Sequence, residues 1–140
     1  MKVHSTGSME VEVNQAQERL YIQCLSELKS DDFRKCLLVA LDYAEEHHVK
    51  QWLLDLREVG ALDEEEETWL QLHLFPKIMM TLGTDNYVAI VLSEKCYQVL
   101  LNEAGKFGLQ SYNSFIIINT FCEVAEALDW LDSSTVNKAS

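Results

Sequence analysis

Lys50-Gln51-Trp52-Leu53-Leu54-Asp55-Leu56-Arg57-Glu58-Val59-Gly60-Ala61-Leu62 is the stretch that decides the fold, and the acid run Asp63 to Glu67 follows it directly. A short apolar run ends in a polar pair, Asp55 and Arg57. Gly60 then turns the chain, and an acid-rich helix start follows. The pattern predicts a central strand feeding a loop and a helix. The near-continuous apolarity of Trp52 to Leu56 implies cover on both faces of a sheet. In open α/β sheets ligands meet the chain at the carboxyl ends of strands. Asp55, Arg57, Gly60 and Asp63 are therefore candidate surface residues for a ligand or a partner.

Downstream, Asp63 to about Leu82 predicts one long helix. Its acids occupy the first turns, where the helix dipole favours negative charge. Trp69, Leu72, Phe75, Met79 and Leu82 form one apolar stripe, and Leu70, Leu74 and Ile78 form a second. Pro76 predicts a kink, because its ring clashes with the carbonyl four residues back. Gly83 fits a helix end. A helix with two stripes needs two partners. Either neighbouring helices bury the second stripe, or it is an exposed contact surface. Trp69 and Phe75 join the candidate surface on that ground.

Upstream, Met9 to Asn14 and Arg19 to Glu27 alternate with period two and predict a hairpin. Ser30 is expected to cap a helix that carries Phe33, Leu37, Ala40, Leu41, Ala44 and His48 on one stripe. Beyond Gly83, Tyr87 to Leu92 reads as a central strand. Ser93 is expected to cap a helix ending near Ala104, with Cys96, Val99 and Leu100 inward. Gly105-Lys106-Phe107-Gly108 breaks it. Phe115 to Ile118 predicts a buried strand. Thr120, with Glu123 three residues on, predicts a capping box for a last helix that turns Val124, Ala125, Leu128 and Leu131 inward. The order is β-β-α-β-α-β-α-β-α. It predicts an α/β fold: a mostly parallel sheet with an antiparallel amino-terminal hairpin, covered by helices. One domain is expected over residues 9–132. Residues 1–8 read as a flexible terminus or an expression-tag remnant, and residues 133–140 as a flexible tail.

Of 140 residues, 48% are hydrophobic and 24% charged, and the net charge is −12. That charge repels phosphate backbones and anionic membrane surfaces, so neither nucleic acid nor such a membrane is an expected partner. No apolar run reaches the ~18 residues of a membrane span, and no signal-peptide pattern opens the chain. Cys24, Cys36, Cys96 and Cys122 form no C-x-x-C pair and fall in apolar segments. They read as reduced thiols, in keeping with a cytoplasmic location.

The order resembles the STAS, or SpoIIAA-like, domain, the fold of anti-sigma factor antagonists. Closer still is the resemblance to small stand-alone bacterial STAS-like proteins, found especially in Bacteroidetes. The residues that carry it are Asp55-Leu56-Arg57-x-x-Gly60-Ala61, Trp69, Phe75-Pro76, Val88 to Ser93, and Glu126-Ala127-Leu128-Asp129-Trp130-Leu131. It spans Met9 to Leu131. It implies a non-enzymatic regulatory or protein-interaction module that recognises itself, as a homodimer, or a signalling partner. In anti-sigma antagonists a phosphorylatable serine or threonine opens the helix after the third strand. Here that place reads Gly60-Ala61-Leu62-Asp63-Glu64, so the phosphorylation switch is not supported. STAS-like domains are also grouped with CRAL-TRIO lipid-transfer proteins, which implies the alternative of a carrier for a small apolar ligand.

Asp55 and Arg57, two apart on a strand, share a face. They form either an ion pair that fixes the loop or the polar lining of a site. Asp63 to Glu67 fan out by ~100° per residue and do not converge on a cation. His47, His48 and His73 lack zinc spacing. No G-x-S-x-G, P-loop or G-x-G-x-x-G occurs. No catalytic residue, metal or cofactor is expected.

Overall fold

The structure, a computed structural model, describes residues 1–27, 29–105, 110–112 and 115–139. The chain runs β1 (Lys2–Ser5), β2 (Met9–Asn14), β3 (Arg19–Cys24), α1 (Ser30–His47) and β4 (Gln51–Asp55). It continues through α2 (Glu64–Trp69), a π-helical turn (Leu70–Leu74), α3 (Phe75–Leu82), β5 (Asn86–Val91) and α4 (Glu94–Ala104). It ends with β6 (Gln110–Tyr112), β7 (Ile116–Phe121) and α5 (Val124–Ala139).

Among the described residues the sheet has seven strands in the order β1-β2-β3-β4-β5-β7-β6. The hairpin β2–β3 is antiparallel, and β3–β4, β4–β5 and β5–β7 are parallel. The α/β class and the mixed sheet thus match the expectation. From β3 to β7 the order advances in one direction. Crossovers of one hand then place every connecting helix on the same face. The two cores agree. One face gathers Ile22, Leu37, Trp52, Leu54, Leu74 and Ile78, with Cys96, Tyr97 and Leu100 of α4 at its margin. The other holds Leu53, Ala89 and Val91 under Ala127 and Leu131 of α5. Every residue of β4 is buried, as its apolar run implies.

Several local expectations are corrected. Residues 1–8 are not loose: β1 pairs with β2, and the Met1 ammonium donates to the Val13 carbonyl at 2.9 Å. An unpaired β2 edge offers those bonds, and composition alone does not register them. Residues expected to form a polar tail continue α5 to Ala139. Gln51 anchors that helix by donating to the Leu131 carbonyl, and Arg19 pairs with Asp132 at 2.8 Å. Lys29, not Ser30, is the N-cap of α1. Thr120 lies within β7 opposite Ile90, so it opens no capping box. Val99 and Ala125 face solvent, and Ala127 takes the inward place. His48 lies outside the stripe and ends α1 in the left-handed region, φ 58. Ser93 opens α4 and Gly83 ends α3, as expected. The Lys106–Gly108 part of the predicted break lies outside the described residues.

Candidate functional site

At the carboxyl end of β4 the chain must leave a fully buried strand. Asp55 is 2% exposed, so an ionised carboxylate there requires donors. It has four. The Tyr21 hydroxyl donates to Oδ2 at 2.8 Å, and Arg57 Nη2 to the same oxygen at 2.9 Å. Arg57 Nε and the Arg57 backbone N–H donate to Oδ1 at 3.0 and 3.1 Å. Burial pushes the Asp55 pKa up. The Arg57 side chain, its backbone N–H and the Tyr21 hydroxyl outweigh that and hold it below 3.8. Burial, then the bond to Asp55, pushes Tyr21 up to about 12. A carboxylate offers about four acceptor sites, and all are in use. Asp55 is therefore a clamp that fixes the turn into the loop, its acceptor sites engaged by Tyr21 and Arg57.

From the clamp the loop runs to Gly60, which has φ +94 and donates to the Leu56 carbonyl at 2.8 Å. Its carbonyl accepts from the Ser93 N–H at 3.0 Å. A Cβ here would meet Cys96 Sγ at 3.0 Å, so glycine is needed both for its backbone angle and for the approach of α4. Asp63 then caps α2, accepting from the Glu66 N–H at 2.9 Å.

The acid run is not uniformly solvated. Glu66 is 1% exposed and accepts from the Ser30 hydroxyl and from Arg34 Nε, the latter at 3.2 Å. The Arg34 guanidinium lies 5.6 Å from the Trp69 ring centre, and Trp69 meets Phe33 edge-on at 6.2 Å. This bolt ties the start of α2 to the start of α1. Glu67, though exposed, carries a pKa raised first by partial desolvation, then by the charges of Asp63 and Glu64.

Pro76 follows the π turn. The Phe75 N–H reaches back five residues to the Leu70 carbonyl. The wider turn lies just where the proline ring would press on the Leu72 carbonyl. Leu70, Leu74, Ile78 and Leu82 face the sheet and are buried, and Trp69, Phe75 and Met79 are half-buried. Leu72 is 65% and Met80 86% exposed. The sheet thus covers the second stripe, and the first is partly unpartnered at Leu72, while Met80 belongs to neither. Between this helix and the sheet, Trp52, Leu54, Leu74, Phe75 and Ile78 enclose a void of about 10 Å³. That is about the room of one water molecule, so an apolar ligand requires the helix to move off the sheet.

The six candidate residues do not converge on one site. Leu53 belongs to the core beneath α5, and Asp55, two residues on, shares its face. Trp69 and Phe75 pack on the opposite face. Gly60 and Asp63 lie in the loop that connects the two. Tyr21 was missed because its tie to Asp55 depends on β3 and β4 lying parallel in register. Glu66 was missed because it sits in an acid run, and only the approach of α1 buries it. Its four-residue step to Leu70 was the available signal. Among the described residues no group of three or more His, Cys, Asp or Glu could hold a metal ion. No helix among them is long and apolar enough to cross a membrane. No family model, curated protein or solved structure matches the chain.

Proposed function

We propose that the protein is a non-enzymatic regulatory or protein-interaction module of the STAS type. Its recognition surface is the loop from Arg57 to Asp63 together with the outward side of the α2–α3 helix. The observation that carries this reading is the exposure of Leu72 and Met80 on a helix whose opposite side is fully buried. Leu72 and Met80 lie two turns apart with the half-buried Phe75, Pro76 and Met79 between them in sequence, and a contiguous exposed apolar patch marks a contact surface. The closed Asp55 clamp supports a positioning role for the polar pair and speaks against general acid–base chemistry there. Without the short edge strands β1 and β6, the element order is β-β-α-β-α-β-α-β-α, which supports the STAS resemblance. The place of the phosphorylatable residue is filled by Ala61, Leu62 and the cap Asp63, so regulation acts through occupancy of the surface.

Native mass spectrometry of the purified chain tests this reading. A bare protein, monomer or dimer, is the expected result. A reproducible small-molecule adduct overturns it in favour of a carrier that opens beneath the π turn.

A further inference from the structure

Resting on the interaction-module reading, we infer that the α2–α3 surface takes a cationic segment with one apolar face, contributed by a different protein. The argument starts from spacing. Glu64, Thr68, Leu72, Pro76 and Met80 recur at steps of four and form one row along the helix. From Thr68 to Met80 that row is about 18 Å long at 1.5 Å per residue, the length of a helical peptide of three to four turns. Its apolar members are Leu72, Pro76 and Met80, with Phe75 and Met79 half-buried alongside.

Charge identifies the occupant. Glu64, Glu65 and Glu67 are all exposed at the amino-terminal end of the row; Glu65 also pairs with Arg34 of α1 at 3.4 Å, and Glu64 and Glu67 carry the rest of the negative charge there. The cationic side chains between Asp63 and Gly83 are His73 and Lys77, which flank the carboxyl-terminal half of the row three residues before Pro76 and Met80, so the acid excess lies at the amino-terminal end. The chain carries −12 overall. A second copy would bring the same acids and the same net charge to the contact, which opposes self-association. Nucleic acid and anionic lipid are repelled for the same reason. A partner with Lys or Arg beside an apolar stripe satisfies both halves of the surface and is steered to it by the field.

The probe is a fluorescein-labelled helical peptide of leucine and lysine, with the leucines on one face, titrated with the full chain and read by anisotropy. Three variants are compared with the original chain: Leu72→Ser with Met80→Ser; Glu64→Gln, Glu65→Gln and Glu67→Gln together; and, as a control of equal charge, Asp42→Asn, Glu45→Gln and Glu46→Gln on α1. All these side chains are exposed, and the Arg34–Glu65 pair that the α2 triple removes is a surface pair worth little, so each variant is expected to melt close to the original chain. The expected result is binding that weakens about tenfold or more with the apolar pair and with the α2 triple, but clearly less with the α1 triple. Equal losses with both triples mean attraction to net charge alone and overturn the proposal, as does undiminished binding by the apolar variant or no binding at all. A dimer in sedimentation that disappears with Leu72→Ser and Met80→Ser overturns the cationic partner but keeps the contact surface. A small-molecule adduct in native mass spectrometry removes the surface reading itself.

Discussion

Asp55 shows how one buried carboxylate sets the direction of a loop. Arg57 supplies three of its four donors, but its side chain is 46% exposed and screened by water. Arg57→Ala is therefore expected to cost only about 1 kcal/mol and roughly 3 °C of melting temperature near neutral pH. The Asp55 pKa is lowered on folding, so its contribution is present above 3.8 and fades as the pH falls through the folded value. The difference between the original chain and Arg57→Ala should accordingly shrink below pH 3.8. Thermal melts across that range check it, and an unchanged melting temperature at pH 7 would return Arg57 to a purely surface role. Tyr21 has the opposite sign. Its pKa rises from 10 to about 12, so its contribution is complete below pH 10 and is lost as the pH climbs towards 12. Phenolate absorbance, taken as the difference from Tyr21→Phe, should show this late titration. Asp55→Asn should bring it earlier. A tyrosine titrating at its ordinary value would remove the clamp.

At the scale of elements, β4 and the α2–α3 helix carry most of the architecture. Leu54 is buried on the face beneath α2–α3, while its neighbours Leu53 and Asp55 point to the other. Leu54→Asp places an unpaired charge in the middle of a central strand, a cost of several kcal/mol. The variant is expected to lose its cooperative transition in circular dichroism, and a normal melt would displace β4 from the centre of the sheet. The long helix was legible from its stripes, its acidic start and Gly83. The π turn was not. Pro76 announced a disturbance, but whether a helix kinks, breaks or widens depends on which side the sheet holds. Here Leu70, Leu74, Ile78 and Leu82 stay on the core side through the wider turn.

At the scale of the molecule, the −12 charge is spread over a small surface and repels itself. Added sodium chloride should screen that repulsion and raise the melting temperature by a few degrees between low salt and about 0.5 M, where the Debye length falls to a few ångströms. A fall in melting temperature would mean that ion pairs such as Arg19–Asp132 and Arg34–Glu66 outweigh the repulsion. The fold class and most of the element order followed from the sequence, because strand and helix periods are local properties set by burial of one face. The core faces of α1 and of the long helix, the acidic start at Asp63, the Ser93 cap and the adjacency of Asp55 to Arg57 were legible for the same reason. Only the tertiary structure decided that residues 1–8 join the sheet and that α5 is anchored at Leu131 and Asp132, since their partners lie far along the chain. It alone also decided that Glu66 is buried, that Tyr21 completes the clamp, and that the sheet separates Asp55 from Trp69. Those outcomes depend on which strands are neighbours and on which side each crossover passes. That is a property of the whole chain, and no single stretch encodes it.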